Sequence, residues 1–401
     1  MTNKMKNVPE LRFPEFIEEW EEKRLGDVYK YQQGQQIPVE NQYKIQINNM
    51  KRFIRIVDVT ENPKKRYIKD RKESGLINQK DLIMIRYGAS AGTISMGYEG
   101  VIANNLFKFV KKQNVDNRYF YFLLKKSHFK IKSLSSQSAM PALNFNAMDT
   151  LKFSIPQYSE QQKIGSFFSK LDRQIELEEQ KLEKLEEQKK GYMQKIFSQQ
   201  LRFKDENGND YPEWKKKKLD DVANYRRGSF PQPYGNKEWY DEKNGEPFVQ
   251  VVDVDKNMKL HNQTKQKISD LAKPKSVKGF KGDIVVTLQG SIGRVALLHY
   301  DAYIDRTLLL IDSFKIEMNK NYFKYVLYLL FLKEKERAPG GTIKTITKKV
   351  LSNFKIDIPN VGEQEKIGKF FEKYDKCIQK QSNKIELLKK RKKSFLQKMF
   401  V

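Results

Sequence analysis

IPQYSEQQKIGSFFSKLDRQIELEEQKLEKLEEQKKGYMQKIF, at residues 155–197, recurs as IPNVGEQEKIGKFFEKYDKCIQKQSNKIELLKKRKKSFLQKMF at residues 358–400. The two stretches align without a gap, and 20 of their 43 positions are identical. Self-similarity of this length indicates that the chain holds one structural unit twice.

Both stretches have the apolar spacing of a coiled coil. Apolar residues recur at alternating steps of three and four over residues 164–196 and again over 367–399, with charged residues on the other faces. Ser159 and Gly362 stand where a helix cap belongs, each directly before a glutamate. We predict two helices of about 35 to 40 residues, or roughly 50 to 60 Å each.

Matched polar residues interrupt the two apolar seams. Glu178 is equivalent to Gln381, and Lys189 is equivalent to Lys392. Polar residues in a seam cost stability but can fix register and partner. Their agreement favours pairing of the two helices within one chain, with a homodimeric coil between two chains as the alternative.

The repetition continues upstream in shorter islands. The pattern Trp-x4-Leu-x-Asp-Val begins at Trp20 and again at Trp214. Between the islands the two copies differ freely, so a shared scaffold carries divergent surfaces. The other matches are Val-Asp-Val at 57–59 and 252–254, and DLIMIRYGASAGTI at 81–94 against DIVVTLQGSIGRV at 283–295.

Each copy also predicts a globular domain with strands and helices. Its strand segments are short, apolar or alternating, and bounded by turn residues. We predict an α+β fold with two similar domains separated by the two long helices. The boundaries are 1–158 for the first domain, 159–200 for the first helix, 201–361 for the second domain and 362–401 for the second helix. The predicted strands are Phe53–Val59, Asp81–Arg86, Phe107–Val110, Lys152–Ile155, Phe248–Val254, Asp283–Leu288 and Leu308–Ile311, and the short helices are Asn117–Lys126 and Lys320–Lys333.

The charge of the chain indicates a polyanionic partner. It has 77 Lys and Arg against 50 Asp and Glu, a formal net charge of +27 spread over the whole length. Nucleic acid is the commonest such partner, with a solubility charge or binding to acidic lipid as alternatives. The longest apolar runs, such as Tyr325–Leu332, are shorter than the roughly 20 residues that span a membrane. Met1–Val8 lacks the apolar core of a signal peptide, and Cys377 is the only cysteine, so we expect a cytoplasmic protein without disulfides.

Catalytic motifs are missing from the sequence. None of the three histidines has a partner at metal-ligand spacing, and GEQEKIGKF at 362–370 departs from a phosphate-binding loop in both spacing and its final residue. The sequence therefore favours a protein that is not an enzyme on its own and binds no metal. An unrecognised nuclease, or a coiled-coil protein that binds nucleic acid without sequence preference, remains the alternative.

Three pairs of loops carry the candidate DNA-binding residues. Their glycines permit sharp turns, and their polar side chains are those that hydrogen-bond phosphates and base edges. An ordinary tight turn between strands is compatible with the same pattern. The candidates are Gln32, Gln33, Arg226 and Arg227 after the first shared strand; Arg86, Tyr87, Ser90, Thr93, Gln289, Ser291 and Arg294 in the glycine loops; and Ser136, Gln137 and Lys344 before the last strand.

Two variable domains alternating with two similar long helices resemble the specificity subunit of type I restriction–modification enzymes. The likeness covers essentially the whole chain. Its most specific elements are the Ile-Pro, Glu-Gln-x-Lys-Ile-Gly-x-Phe-Phe and Gln-Lys-x-Phe runs present in both copies, together with the Trp-x4-Leu-x-Asp-Val start.

The resemblance implies a DNA-reading subunit within a larger complex. Each domain would read one half of a bipartite sequence in double-stranded DNA, and the helices would form an antiparallel coil that sets the gap. Two methylation subunits that bind S-adenosylmethionine, and restriction subunits that use ATP and Mg²⁺, would join it, so this chain needs no cofactor. The helices would dock the methylation subunits, and the candidate docking residues are Phe167, Phe168, Phe197, Phe370, Phe371 and Phe400.

Overall fold

The structure is a computed structural model that describes residues 7–61, 64–69, 74–135, 141–337 and 348–401. It divides into two compact units, one made of residues 1–181 and 381–401 and the other of residues 182–380. Both boundaries fall inside long helices, so each unit contains one globular domain and a part of both helices.

In the residues that the structure describes, the first domain contains ten strands and five short α-helices before the first long helix. Its strands are β1 (Glu21–Arg24), β2 (Tyr29–Gln33), β3 (Lys51–Ile54), β4 (Arg66–Ile68), β5 (Leu76–Ile77), β6 (Ile83–Ile85), β7 (Ile94–Ser95), β8 (Gly100–Ile102), β9 (Leu106–Lys111) and β10 (Lys152–Ile155). Its helices are α1 (Leu25–Val28), α2 (Ile56–Thr60), α3 (Asn117–Lys126), α4 (His128–Lys132) and α5 (Phe145–Asp149), followed by the long α6 (Tyr158–Phe197).

The second domain repeats this order. Its strands are β11 (Lys215–Lys218), β12 (Ala223–Arg227), β13 (Glu246–Val249), β14 (Gln266–Ile268), β15 (Val277–Gly279), β16 (Ile284–Thr287), β17 (Val295–Leu297), β18 (Ala302–Ile304), β19 (Leu308–Phe314) and β20 (Lys355–Ile358). Its helices are α7 (Leu219–Val222), α8 (Lys320–Arg337) and α9 (Lys348–Ser352), followed by the long α10 (Val361–Lys398).

The strand pairing is the same in both domains. The first has sheets of order β2-β9-β6-β7 and β4-β3-β8-β5 plus the pair β1-β10, and the second has β12-β19-β16-β17, β14-β13-β18-β15 and β11-β20. Among the described strands, β3 pairs with β8 and β13 with β18 in parallel, and the other strand pairs are antiparallel. The prediction of an α+β fold with two similar domains is confirmed.

The apolar residues of the Val-Asp-Val segments predict strands, but the structure has no strand at either segment. After β3 and β13 the chain turns into α2 and into a short 3-10 helix at Val251–Asp253. The cause is a buried carboxylate in each copy. Asp58 accepts a hydrogen bond from the backbone N–H of Arg55 at 3.1 Å, and Asp253 accepts one from Gln250 at 2.8 Å. These bonds close a helical turn and end the strand.

The two long helices pair within the chain. In the first unit the Gln381 amide donates to the Glu178 carboxylate at 2.7 Å, and Lys392 pairs with Asp172. In the second unit Lys189 pairs with Asp375 at 2.6 Å. Partners descend along one helix as they ascend along the other, so the pairing is antiparallel. The prediction that the two helices pair within one chain is therefore confirmed.

A buried carboxylate fastens the start of each long helix to its domain. Arg12 donates two hydrogen bonds to Glu160, at 2.8 and 2.7 Å, and the Trp20 indole donates a third at 3.2 Å. Glu363 in the second unit receives the equivalent three bonds from Arg202 and Trp214. The Glu-Gln motif of the repeat therefore anchors the helix.

The arginines belong to a further repeat that the sequence analysis missed. Leu-Arg-Phe occurs at 11–13 and at 201–203. The backbone N–H of Leu11 donates to the carbonyl of Lys398, and that of Leu201 donates to the carbonyl of Lys195, its equivalent. This short match could have been found in the sequence, because it lies just upstream of each Trp-x4-Leu pattern.

Candidate nucleic-acid interface

The polar pairs at the ends of β2 and β12 divide between two faces of a sheet. Successive side chains on a strand point to opposite faces, so Gln32 and Gln33 face different ways. In the second domain Arg226 pairs with Asp312 at 3.3 Å, whereas its exposed neighbour Arg227 lies at the position equivalent to Gln33.

A glycine follows each of these strands because two backbones meet there. A Cβ atom on Gly34 would lie 2.1 Å from the carbonyl oxygen of Ile102, and one on Gly228 would lie 2.3 Å from that of Asp305. The close approach fixes the ends of β2 and β12 against the turns after β8 and β18. The same scaffold therefore presents Gln33 in one domain and Arg227 in the other.

The glycine loop between β6 and β7 brings Arg86 onto the face of Gln33. The Arg86 Nη1 group donates to the Gln33 side-chain oxygen, and Gln33 donates to the carbonyl of Asn104 at 2.5 Å. The guanidinium carbon lies 4.2 Å from the ring centre of Phe145 and 5.0 Å from that of Tyr87. Such cation–π contacts hold the guanidinium in one orientation.

Other residues of this loop complete a tight turn. Gly88 and Gly92 have φ angles of +87° and +85°, which side chains rarely adopt. Ser90 accepts a backbone hydrogen bond from Thr93 at 3.1 Å, and both side chains are half-buried. The turn thus supports Arg86 and Tyr87 at its beginning. Ser136, Gln137 and Lys344 lie outside the described residues.

The equivalent loop of the second domain is built differently. Leu288 stands at the position of Arg86 and is fully buried. Arg294 donates to the carbonyl of Val254 at 2.9 Å, so its guanidinium braces its own domain. Gln289 is half-buried and Ser291 is exposed, which leaves these two for contact with a ligand.

A polar cavity of about 300 Å³ lies beside the end of β18 in the second domain. Tyr234 donates to the Asp305 carboxylate at 2.8 Å, and Gln250 donates to the Tyr234 oxygen at 2.8 Å. Burial raises the pKa of Tyr234, so the phenol stays protonated and remains a donor. Sequence reasoning missed this network because its members come from three separate segments.

A basic cleft of about 830 Å³ lies in the first domain. It is lined by the cations Lys51, Arg52, Lys65 and Lys108 and by the carboxylates of Asp81 and Glu99. Cations in such a groove suit the phosphate backbone of a nucleic acid.

The candidate docking phenylalanines pack inside the protein. Phe168, Phe371 and Phe400 are at most 3% exposed. Phe400 packs at 5.7 Å from Phe168 in the first unit, and Phe197 at 6.1 Å from Phe371 in the second. Phe167 and Phe370 are half-buried against the same cores. The rings therefore pack between the helices and the domains, while Phe167, Phe197 and Phe370 keep part of their surface exposed, so docking through these residues stays a prediction.

No helix in the described part of the chain is both long and apolar enough to cross a membrane. Across the same residues there is no group of three or more His, Cys, Asp or Glu side chains that could hold a metal ion.

Comparison with known proteins gives a consistent result. The model of the type I restriction modification DNA specificity domain matches twice, at residues 17–187 and 211–390. The MjaVIII type I restriction enzyme specificity subunit of Methanocaldococcus jannaschii is 24% identical, over 98% of this chain and 95% of the relative.

Two solved structures have the same fold. The S subunit of a type I restriction–modification system from M. genitalium superposes with a TM-score of 0.66 at 15% identity, covering 98% of this chain and 99% of that one. A chain from a structure on complex assembly and conformational transition of the type I R-M system superposes with a TM-score of 0.55 at 17% identity, covering 95% and 97%.

Proposed function

The chain belongs to the type I restriction modification DNA specificity family, and from that premise we propose that each of its domains reads one half of a bipartite DNA target. It is a specificity subunit with two recognition domains. The two half-sites would differ in sequence, because the domains share a scaffold and differ in their polar side chains.

One observation carries this proposal. At equivalent positions of the same strand and loop, the first domain has Gln33 and Arg86, and the second has Arg227 and Leu288. Arg suits guanine in the major groove, whereas an apolar side chain such as that of Leu288 cannot hydrogen-bond a base edge. A scaffold that keeps its backbone and exchanges these groups is suited to reading two different sequences in one manner. Lysines and arginines elsewhere would hold the phosphate backbone.

The long helices would set the gap between half-sites and dock two methylation subunits. Since Phe168, Phe371 and Phe400 are buried in the cores, docking would also use the outward faces of α6 and α10. Leu177 and Leu387 are about half exposed, and Tyr192 is 37% exposed, so these helices offer apolar groups to a partner. Methylation with S-adenosylmethionine, and cleavage by motor-nuclease subunits, would then take place in the partners, in the cytoplasm.

The test is selection of bound duplexes from a random pool by the full-length chain together with its methylation subunits. We expect a two-part motif with a fixed gap, because two domains on one scaffold contact DNA separately. The selection is carried out at two salt concentrations and both pools are sequenced. Binding through phosphate contacts alone falls steeply as salt rises.

Two results would contradict the proposal. A single unsplit motif, or enrichment of no motif, would favour binding without sequence preference. Cleavage of DNA by the pure chain with magnesium would show an enzyme instead. Exchange of the first domain for that of another specificity subunit is the matched control, and it should replace only the first half-motif.

A further inference from the structure

The cluster around Arg86 holds buried polar atoms that the protein itself does not satisfy. Among the described residues, the Arg86 Nε and the Asn105 Oδ1 atoms are buried and have no hydrogen-bond partner. The two residues are linked, because the Arg86 backbone N–H donates to the Asn105 carbonyl at 2.9 Å. An unsatisfied buried polar group is costly and rare in native proteins, so its presence needs an explanation.

The same cluster holds its guanidinium rigidly. Phe145 lies 4.2 Å from the guanidinium carbon and is itself stacked on Tyr31, with centroids 4.9 Å apart and an angle of 27°. Gln33 accepts one Nη1 hydrogen. Side-chain entropy that is lost in the free protein is not lost again on binding, so a fixed arginine binds with higher affinity.

The remaining donors of Arg86 form a fork. Within the described part of the chain the second Nη1 hydrogen and the Nη2 group make no hydrogen bond to the protein, and the side chain is half-buried rather than sealed. Two parallel N–H donors match the O6 and N7 acceptors of guanine in the major groove. A lysine presents a flexible ammonium in place of this planar fork, so it should discriminate guanine less sharply.

We infer that Arg86 reads a guanine in the half-site of the first domain. The inference rests on the proposed function and specifies one base of its target. Gln33 and Phe145 are positioning residues, and the second domain has no equivalent reader because Leu288 occupies the place of Arg86. An apolar side chain there would be the simpler choice in the first domain if the position served packing alone.

The test uses the full-length chain with its methylation subunits and the duplex that the wild type selects. Arg86→Lys and Arg86→Gln should each lose the guanine preference at one position of the first half-motif by about 5- to 150-fold. The second half-motif should stay unchanged. Arg118→Gln is the matched control, since it removes the same charge from the same domain where the guanidinium pairs with Asp116 at 2.8 Å.

A second measurement needs no variant to fold. Replacing that guanine by 7-deazaguanine removes the N7 acceptor, and it should weaken binding by the wild-type chain. Three results would overturn the inference: a first half-motif without guanine, variants that keep the full motif, or an equal loss of affinity for all sequences, which is typical of a phosphate contact. If the wild type selects no two-part motif, the proposed function fails together with the inference. If it selects one but Arg86 does not affect the guanine preference, only the inference fails.

Discussion

The buried glutamates at the starts of the two long helices are satisfied by matching sets of hydrogen bonds. Glu160 and Glu363 are at most 1% exposed, and each receives three hydrogen bonds from an arginine and a tryptophan. The hydrogen bonds that Arg12 donates to Glu160 raise the pKa of the Arg12 guanidinium, and those that Arg202 donates to Glu363 raise the pKa of Arg202. Such a pair holds its position only while both partners are present.

Glu160→Gln should therefore loosen the first unit and leave the second unchanged. The neutral amide leaves the guanidinium of Arg12, only 12% exposed, without its counter-charge. Breaking a buried pair in this way costs about 3 to 5 kcal/mol. Amide hydrogen exchange resolved by segment measures the effect, with Glu363→Gln as the matched variant for the second unit. Equal acceleration in both units, or in neither, would contradict a local anchor.

The long helices carry a polar network that differs between their two halves. In the second unit Asp375 accepts from Lys189 at 2.6 Å, Lys324 at 3.1 Å and Tyr325 at 2.6 Å. In the first unit the equivalent carboxylate, Asp172, has Lys392 as its ion-pair partner in the described chain. The repeat thus keeps one ion pair and buries it more deeply in the second unit.

Asp375→Asn should destabilise the second unit by about 3 to 5 kcal/mol, because the ammonium of Lys324 is left buried without a counter-charge. Asp172→Asn is the matched control. Its carboxylate is 38% exposed, and a pair of that exposure contributes about 0 to 1 kcal/mol. Denaturant unfolding, followed by fluorescence, measures both. A similar loss in the two variants would show that burial does not decide the strength of the pair.

The same aspartate predicts a pH dependence. Burial raises the pKa of Asp375, but the charges of Lys324 and Lys189 outweigh it and hold the pKa below its ordinary value. A carboxyl whose pKa is lowered on folding stabilises the protein above its unfolded pKa of about 3.9. That stabilisation is lost as the pH falls through the folded value. The wild type should lose stability more steeply than Asp375→Asn below pH about 4 in acid titrations of the unfolding midpoint, and parallel curves would refute this.

At the scale of the whole molecule, both units are built on the same two helices. The unit boundaries lie between Lys181 and Leu182 in α6 and between Lys380 and Gln381 in α10. Each helix therefore begins in one unit and ends in the other. Residues inserted at these boundaries would leave in place the helix ends that pack into each domain core.

Insertion of one heptad at both boundaries should lengthen the gap of the DNA motif and leave both half-motifs intact. Seven residues add about 10 Å of helix, equal to about three base pairs of duplex, and a heptad keeps the apolar seam in phase. Selection of bound DNA measures the gap. Insertion into α6 alone is the control, because it breaks the pairing of the helices. An unchanged gap after the double insertion would rule out the spacer role.

The sequence alone determined the features that depend on local order. A repeat of 43 positions and a heptad spacing are properties of neighbouring residues, so the two long helices, their pairing within one chain and the α+β class could be predicted. The sequence predicted the strand β10 and the helix α3 with the same first and last residues as in the structure. The sequence did not predict the segments where a side-chain hydrogen bond turns the backbone out of a strand, as Asp58 does after β3.

Only the tertiary structure decided which of these residues act together. It placed Phe168 and Phe400 in a core and brought Gln33, Arg86 and Asn105 to one point from three separate segments. Spacing along the chain reveals an amphipathic face, because that face repeats with the helix period. It does not reveal which distant face covers it or which polar groups remain unpaired, since both depend on long-range packing.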